Sequence, residues 1–419
     1  YLESNHLLGL GHTRLSIQDL SNHANQPMIS SCKRYVIVFN GEIYNFKDLR
    51  KFISEKNGAW KTNSDTEVIL ECIAKYGFSH TISILDGMFA IAAYCRKDKT
   101  LWLARDKFGE KPMYYSKDAL DNFFFSSDIK AFMASKYFKK KIDYSVSAEY
   151  LRYGYVPDPL CILDNTHKLG PGMILKFNKN KAVKTDEYWN TFNEFTKMRK
   201  ELFKGTYNDA IQEIKFRIRN ATKTRLISDV PVGAFLSGGI DSSNLVLSLK
   251  TNDINLDTFS IGFEDKFKNE ADYAKEVSSS LDTNHYEKIL NSDDCINIIP
   301  MITKYYDEPF SDPSQIPTFL LSKFAKKKVK VAISGDGADE LFGGYPRYKK
   351  ISRFWNNLGN SPQAILKNLA GLSFYFSSSK SKLLRSFGKK IRKLSHPNIE
   401  SLYNDELSRW RPDEGLYNI

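Results

Sequence analysis

Hydrophobic positions along the chain follow two rhythms, and the change falls near residue 195. Up to Tyr188 they come in short runs. Tyr35–Asn40, Met88–Cys95, Thr100–Ala104, Met113–Ser116 and Phe123–Ser126 are rich in β-branched and aromatic residues, are separated by turn formers, and predict strands. Two helices interrupt them. One is predicted over Phe46–Glu55. The other opens at Ser64-Asp65-Thr66-Glu67, whose Ser-x-x-Glu spacing predicts a capping box, and runs to Tyr76 with Val68, Cys72 and Tyr76 on one face. Strands this close together, with few crossover helices, predict an α+β domain of antiparallel sheets with helices packed outside.

Thr191–Lys204 is polar and lacks a period, so it reads as a linker. The expected division is residues 1–190, a linker at 191–206, and a second domain at 207–419. That domain opens with an amphipathic helix from Tyr207 to about Leu226, with Ile211, Ile214, Ile218 and Ala221 predicted to face inward. Strand, loop and helix then alternate. Val230–Leu236, Leu256–Ile261, His285–Ile289 and Lys328–Ile333 predict strands. Asn244–Lys250, Glu270–Leu281, Cys295–Tyr305 and Gln315–Lys327 predict helices. Such alternation means an α/β doubly wound parallel sheet covered on both faces. Beyond Tyr348 the chain reads as helical and basic, and no internal repeat is visible.

Composition narrows the class. With 419 residues, 42% hydrophobic and 26% charged, the chain is long enough for two or three domains and is not a disordered sequence. No apolar run approaches the roughly 20 residues of a membrane helix, so no membrane partner is expected. Five scattered cysteines (Cys32, Cys72, Cys95, Cys161, Cys295) form no Cys-x-x-Cys pair, which suits a reducing, cytoplasmic setting and excludes a disulfide scaffold or a cysteine zinc site. His6, His12 and His23 are too irregularly spaced for a metal-binding helix face. The net charge of +12 looks suited to nucleic acid, but its location argues otherwise. From Leu341 to Ile419 there are 14 Lys and Arg against 5 Asp and Glu, so +9 of the charge lies in the tail. That tail includes Lys380, Lys382, Arg385, Lys389, Lys390, Arg392 and Lys393, and no aromatic platform alternates with those charges for base stacking. It reads as a solvated or partner-facing helix surface, with no nucleic-acid partner expected.

Chemistry enters with Leu236-Ser237-Gly238-Gly239-Ile240-Asp241-Ser242-Ser243, placed where a buried strand ends and a helix begins. Unpaired N–H groups at a helix N-terminus attract an anion, and the glycines let a phosphate approach the main chain. Serine hydroxyls add donors, and an aspartate can share Mg²⁺ with the phosphates. The motif is neither a Walker loop nor a dinucleotide fingerprint, and taken alone it could be a plain strand-to-helix turn. A second loop, Ser334-Gly335-Asp336-Gly337-Ala338-Asp339-Glu340, follows another strand at the same sheet edge. Ligands of doubly wound sheets bind at that edge, and Asp241 with Asp339 can supply two carboxylates to one magnesium. The acidic run Asp307-Glu308-Pro309-Phe310-Ser311-Asp312 lies between them, either at the site or as a surface cap.

Together these residues resemble a known family. The Ser-Gly-Gly-Ile-Asp-Ser stretch is similar to the pyrophosphate loop of N-type ATP pyrophosphatases. With Arg225–Gly233 before it and Ser334–Tyr345 after it, the resemblance narrows to glutamine-dependent asparagine synthetases and covers nearly the whole chain. The resemblance implies ATP cleavage between the α and β phosphates. An aspartate side-chain carboxylate attacks the α-phosphorus, and ammonia displaces AMP from the resulting β-aspartyl-AMP. It further implies that Ser237, Gly238, Gly239, Asp241 and Ser242 cradle pyrophosphate, that Leu236, Ile261, Ser334 and Gly335 contact the nucleotide, and that Asp241 and Asp339 hold Mg²⁺. Asp336 stands at a position linked to adenylate formation, where many relatives have Glu.

Three segments of the first domain are similar to the glutamine-binding segments of class II glutamine amidotransferases, whose fold is of the N-terminal-nucleophile hydrolase type. They are Gly11–Ile17, Asn40–Asn45 and Ser64–Glu67. Arg14 is suited to fork onto the glutamine α-carboxylate. Asp65 is suited to its α-ammonium, with Glu42 helping to hold substrate. The Asn40 side chain and the Gly41 N–H are suited to an oxyanion hole. The bland readings are a surface ion pair, a plain Asn-Gly turn and a helix cap. The family's nucleophile is an N-terminal cysteine, and none of the five cysteines stands in its place. The sequence is therefore expected to be truncated at its start, and also at its end, where relatives carry a lysine that Lys380 or Lys389 cannot be assigned to. Arg105–Pro112 resembles a family segment and is expected to be a structural turn.

The expected reaction is the glutamine-hydrolysing synthesis of asparagine from ATP, aspartate and glutamine, with a homodimer left open as the assembly. A rival keeps the machinery and changes the acceptor to another carboxylate, such as a sugar uronate in surface-polysaccharide synthesis; the resemblance of Asp307–Pro317 to variants in such settings favours it. Intramolecular β-lactam formation is a remoter version. A non-catalytic scaffold has no use for Asp241 and Asp339 beside intact serine-glycine loops. A tRNA-thiolating enzyme has no use for the glutamine-binding segments.

Overall fold

The computed structural model describes residues 1–3, 8–54, 60–118, 120–178, 183–251, 255–264, 270–358, 381, 383–384, 388 and 391–410. They divide into two compact units. The first comprises residues 1–146 and 156–334, and the second residues 147–155 and 335–419.

In the first unit the N-terminal strands build a six-stranded antiparallel sheet in the order β1-β2-β3-β4-β8-β9. The strands are β1 (Met28–Ile29), β2 (Tyr35–Ile43), β3 (Gly87–Cys95), β4 (Thr100–Arg105), β8 (Met173–Asn178) and β9 (Lys184–Glu187). Both faces are buried, which is why β2 and β3 read as continuous apolar runs rather than alternating ones. On one face Ile37, Phe39, Phe89 and Ile91 pack with helices α1 (Phe46–Ser54), α2 (Asp65–Tyr76) and α3 (Phe78–Ile84). On the other, Val36, Val38, Ala92 and Leu103 meet a second sheet in the order β6-β5-β7. Its strands are β5 (Tyr114–Lys117), β6 (Phe123–Ser126) and β7 (Thr166–Lys168). The far side of that sheet is covered by α4 (Ile129–Ala134), through Ile129 and Phe132 against Tyr114. The strands and both helices expected from periodicity are present; α3, α4 and the short strands β1 and β7–β9 are not marked by any sequence period.

The expected capping box does not form. Ser64 Oγ accepts the Thr66 N–H (3.1 Å), but the Glu67 carboxylate turns away, accepting the N–H groups of Lys61 (3.1 Å) and Thr62 (2.8 Å) and the Thr62 hydroxyl (2.8 Å). Thr62 offers two donors at once, more than the single N–H of Ser64. The stretch at 191–204, expected to be irregular, carries helix α6 (Thr191–Met198), started by Asn190, whose side chain accepts the Asn193 N–H. Its Asn cap and its Phe192, Phe195 and Met198 are helix signals that the polar composition concealed.

Helix α7 (Tyr207–Arg225) is present, but its apolar face is shallow. Ile211 and Ile218 are partly covered, Ile214 and Ala221 are exposed, and Thr222 is its buried residue. The helix packs on α8 (Ile240–Lys250) alongside a parallel sheet of order β12-β11-β10-β13. Those strands are β10 (Val232–Phe235), β11 (Asp257–Phe263), β12 (Asn284–Leu290) and β13 (Val331–Ile333). One face packs with α8 and α9 (Ala271–Ser280) through Ala234, Val246 and Ala274. The other packs with α10 (Ser292–Tyr305) and α11 (Gln315–Ala325) through Phe259, Ile298, Leu320 and Ala325. Helices on both faces make it the doubly wound sheet that the alternation predicted.

The second unit holds most of α5 (Tyr144–Tyr153), together with α12 (Ala338–Phe342), α13 (Pro346–Leu358) and α14 (Ile399–Leu407). Arg392 pairs with Asp405 (2.6 Å) and Lys393 with Glu406, so these two tail cations are matched within the unit. Lys380, Lys382, Arg385, Lys389 and Lys390 lie outside the described residues, as does His6. Among the described residues no helix is long and apolar enough to cross a membrane.

Candidate functional site

Asn40 and Gly41 lie in β2 opposite Ala90 and Phe89, so the plain-turn reading of Asn-Gly does not apply. Gly41 has φ +154° and no room for a side chain. A Cβ there would stand 2.0 Å from the Met88 carbonyl and 2.8 Å from Phe89 Cα. Only glycine lets the two strands approach this closely.

Glu42 and Asp65 come together just beyond. Asp65 is the first residue of α2 and is buried; its Oδ2 accepts the Ile43 N–H at 3.0 Å, and the Ser64 hydroxyl reaches Oδ1 at 3.3 Å. Burial pushes the Asp65 carboxyl up to about 6, against the pull of those hydrogen bonds. Burial, and then the Asp65 charge, push Glu42 up to about 7. A nearby cation would lower both.

Gln18, which the sequence did not single out, completes the group. It is 7% exposed, its Nε2 donates to Glu42 Oε2 (2.5 Å), and its Oε1 is a buried acceptor without a partner among the described residues. No period or motif in the sequence marks it, because its role depends on meeting Glu42 from 24 residues away. Arg14 is placed beside it. Its guanidinium donates to the carbonyls of Gln18 (2.8 Å), Asp19 (2.5 Å) and Ser21 (3.2 Å), holding the turn that carries Gln18.

That turn is anchored on both sides. Asp19 accepts the Asn63 N–H at 2.6 Å, and its own N–H donates to Asp229 Oδ2 at 2.7 Å; the Asp229 N–H donates to the Ile17 carbonyl at 2.9 Å. The Arg225–Gly233 segment is thereby a fastening between the two sheets' territories, with Arg225 over the Tyr44 ring at 4.9 Å. An open cleft of about 1050 Å³ adjoins it, with Gln18, Phe46, Asn63 and Leu226–Asp229 among its lining. The segment Arg105–Pro112 is structural, as expected. Buried Asp106 accepts the N–H groups of Phe108, Glu110 and Lys111, and Arg105 donates to the carbonyls of Gly109 and Lys111.

The second site lies at the carboxyl end of β10. Leu236 is buried and its N–H donates to the Phe259 carbonyl (2.9 Å). Ser237 and Ser242 close the loop hydroxyl to hydroxyl at 3.0 Å. Gly238 has φ +80°, and a Cβ there would meet Tyr273 Cβ at 2.6 Å and the Ala274 nitrogen at 2.7 Å. Gly239 is the N-cap of α8 and brings no side chain to its free N–H groups. Ser243 Oγ is buried without a partner among the described residues. Asp241 stands in the first turn of α8. Ile261 lies on the adjacent strand β11, and Ser334 leaves β13 on the other flank of β10, so both loops emerge at one edge of the sheet. Gly335, Asp336 and Asp339 belong to the second unit, Asp339 on α12. Among the described residues no cluster of three or more His, Cys, Asp or Glu side chains forms a metal cage. The N-terminal N–H groups of α8, capped by no side chain, suit a polyphosphate, while Gly238's missing side chain makes room for α9 at Tyr273 and Ala274; a magnesium held by a carboxylate plus substrate phosphates needs no such cage.

The acidic loop after α10 departs from the surface-cap reading. Asp307 accepts from the Ile129 N–H (3.2 Å) and Lys130 Nζ (2.9 Å), and Glu308 from the Ile162 N–H (2.8 Å) and Lys168 Nζ (2.6 Å). Asp307 and Glu308 are therefore no solvated cap; they fasten the parallel-sheet half onto the antiparallel half.

Comparison with known proteins agrees with these two halves. Residues 2–189 match the glutamine amidotransferase domain family and residues 213–413 match the asparagine synthase family. Asparagine synthetase (glutamine-hydrolyzing) 1 of Bacillus subtilis is 36% identical over 350 residues, covering 84% of this chain and 54% of that protein. A Methanocaldococcus jannaschii protein named "Putative asparagine synthetase (glutamine-hydrolyzing) 2" is 36% identical over 403 residues, covering 89% of this chain and 75% of that protein. The chain thus spans about half the length of the first relative and three quarters of the second. Among solved structures, a Bacillus subtilis glutamine phosphoribosylpyrophosphate amidotransferase aligns with a TM-score of 0.33 and 11% identity over 72% of this chain and 79% of that one, a likeness too weak to argue from. With 36% identity to a relative of which it covers three quarters, the chain belongs to the glutamine-hydrolysing asparagine synthetase family.

Proposed function

We propose that this chain carries the donor-binding and adenylating machinery of an enzyme that converts ATP, L-aspartate and L-glutamine to L-asparagine, L-glutamate, AMP and diphosphate. The observation that carries the reading is the buried cluster of Glu42, Asp65 and the unpartnered Gln18 Oε1 beside the Asn40–Gly41 strand end. An amino acid's α-ammonium suits that cluster, and its carboxamide then extends toward the strand end, where the Asn40 amide and Gly41 N–H would hold a developing oxyanion. Arg14 supports the turn and is assigned to the substrate's α-carboxylate. The cysteines in this sequence are not assigned as nucleophile, so these residues recognise and orient the donor.

At the parallel sheet, Ser237, Gly238, Gly239 and Ser242 are assigned to the pyrophosphate of ATP, and Leu236, Ile261, Ser334 and Gly335 to the nucleoside. A carboxylate is a poor acylating agent; joining it to AMP supplies a leaving group that ammonia can displace. Asp241 is assigned to magnesium, whose role when bound is to neutralise charge building on the leaving diphosphate. Asp339 is assigned the same ion type and Asp336 a part in adenylate formation.

The test is diphosphate release by the full-length protein with ATP, Mg²⁺ and ammonium, with and without aspartate. Aspartate-dependent release is expected. If ATP binds and aspartate changes nothing, the acceptor assignment fails and another carboxylate takes its place.

A further inference from the structure

Glu308 lies in the parallel-sheet half of the first unit, yet it is linked by a chain of polar contacts, through the partly exposed Asp158, to the Asn40–Gly41 stretch of β2. Its Oε2 lies 2.6 Å from Lys168 Nζ, and the two side chains are only 10% and 11% exposed. Lys168 also donates to the Val156 carbonyl (2.6 Å) and lies 3.9 Å from Asp158 Oδ1. The other oxygen of Asp158 takes Arg105 Nη1 at 2.6 Å. Arg105, itself 8% exposed, spans the turn whose next residue is Asp106, 1% exposed. The Asp106 carboxylate accepts the Phe89 N–H (3.1 Å), while its own N–H donates to the Phe89 carbonyl (2.9 Å). Phe89 is the residue opposite Gly41 on the neighbouring strand.

Lys168 has two carboxylates within reach, and Arg105 shares the second. With Glu308 ionised, the ammonium is satisfied at 2.6 Å and Asp158 is left to Arg105. Without that charge, a buried ammonium must find another partner, and Asp158 is the one at hand. Arg105 Nη1 is then left with the Leu169 carbonyl (2.8 Å), and with Nε and Nη2 still on the Lys111 and Gly109 carbonyls the Asp106 turn is loosened at one corner of its frame.

We infer that Glu308 is a positioning residue for the Asn40–Gly41 strand end, acting by keeping Lys168 away from the Asp158–Arg105 pair. The site's role as an oxyanion hole rests on the function proposed above; the mechanical link does not. The mechanism makes an asymmetric prediction. Glu308→Gln keeps the shape and can still accept from Ile162, but frees Lys168 to draw on Asp158. Lys168→Met removes the competitor, so Asp158 stays with Arg105. The double variant should therefore behave like Lys168→Met alone, whereas a merely structural contact would make the double at least as damaged as the worse single.

Amide exchange on the full chain reads this directly, together with the amide resonance of Gly41. In Glu308→Gln, the amides of Phe89, Phe108, Glu110 and Lys111 should exchange about tenfold faster and the Gly41 resonance should shift. Both should return to parental values in Glu308→Gln/Lys168→Met. Asp307→Asn, the neighbouring control, should affect Ile129 and leave the Asp106 turn alone. A Glu308→Gln response confined to Ile162, or one that persists in the double variant, overturns the inference. If the single variant fails to fold, a folded double with parental protection supports the inference and an unfolded double overturns it. Titration with L-glutamine separates the two claims. A Gly41 resonance that responds to Glu308→Gln but not to glutamine removes the oxyanion reading and leaves the link; the reverse leaves the reading and removes the link.

Discussion

Around Asn40–Asp65 the polar groups are tied to other elements of the fold, whereas around Ser237–Ser243 they bond mainly to one another. Asp65 is buried on Ile43's N–H, Glu42 is bonded to Gln18, and Gly41 is wedged against Met88 and Phe89. At the other loop the N-cap is a glycine with no side chain, Ser243 Oγ is unpartnered among the described residues, and Ile240 is 79% exposed. The first group is held in shape by the sandwich core. The second is a self-bonded loop at the sheet edge whose helix carries no side-chain cap. Damage to the first should therefore cost the fold as well as the ligand, and loss of a side chain outside the core of the second, such as Asp241, the ligand alone.

The widest separation is expected at Asp241. Losing a carboxylate that shares magnesium with phosphates removes several kcal/mol of transition-state stabilisation, or roughly 1,000-fold. Asp241→Ala should cut Mg²⁺·ATP-dependent diphosphate release by about that factor in the full-length protein. Its melting temperature should stay put, since substitutions away from the core cost within about 0.5 kcal/mol. Unchanged release would remove the metal assignment. Two glycines give the next largest contrast. Gly41→Ala forces a methyl against Met88's carbonyl at 2.0 Å and should cost about 3 kcal/mol in denaturant melts, as overpacked cores do. Gly238→Ala, at φ +80° with its Cβ 2.6 Å from Tyr273 Cβ and 2.7 Å from the Ala274 nitrogen, should cost about as much for the same steric reason and for its left-handed backbone. The contrast therefore lies in the ligand: it should abolish nucleotide binding and spare L-glutamine, where Gly41→Ala does the reverse. Loss of both ligands at either position would erase the distinction between the sites.

How much was legible in the sequence follows the same division. The phosphate loop is local: strand, Ser-Gly-Gly-Ile-Asp-Ser and helix are contiguous, so its form could be read directly. The strands β2, β3 and β4 were equally plain, because burial on both faces leaves uninterrupted apolar runs. What could not be read depends on distant partners. Gln18 looks like an ordinary loop amide until Glu42 arrives beside it. Asp307 and Glu308 look like a surface cap, but their partners lie some 140–180 residues earlier, at Ile129, Lys130, Ile162 and Lys168. Glu67 was misread for a related reason: Thr62, two residues outside the expected box, competes for its carboxylate and wins.

Gln18 allows a finer test of the donor site. Gln18→Leu keeps the volume but removes both the hydrogen bond to Glu42 and the free Oε1. It should weaken L-glutamine binding in calorimetric titrations by about tenfold, the worth of one charge-assisted hydrogen bond, and leave ATP binding unchanged. Equal affinity for glutamine would place the ammonium elsewhere.

The smallest expected effect separates the sites by pH. Glu42 lies at about 7 against an ordinary 4.5, and Asp65 at about 6 against 3.8. A carboxyl raised on folding binds its proton more tightly in the native state, so it favours that state at low pH. That advantage fades as pH climbs through the interval up to about 7. Glu42→Gln, which never ionises, should match the parent near pH 4 and exceed its stability by on the order of 1 kcal/mol at pH 8. Ligand binding must run the other way. An ammonium needs an ionised carboxylate, so parental affinity for glutamine should rise as pH increases from about 5 to 7.5 and level off above, and Glu42→Gln should flatten much of that rise. The two slopes have opposite signs because the same buried charge that costs the empty protein stability is the one the ligand neutralises. Stability that rises with pH over this interval would show that the carboxyl pair is already neutralised by a protein cation, and the donor site would have to be sought along the adjoining cleft instead.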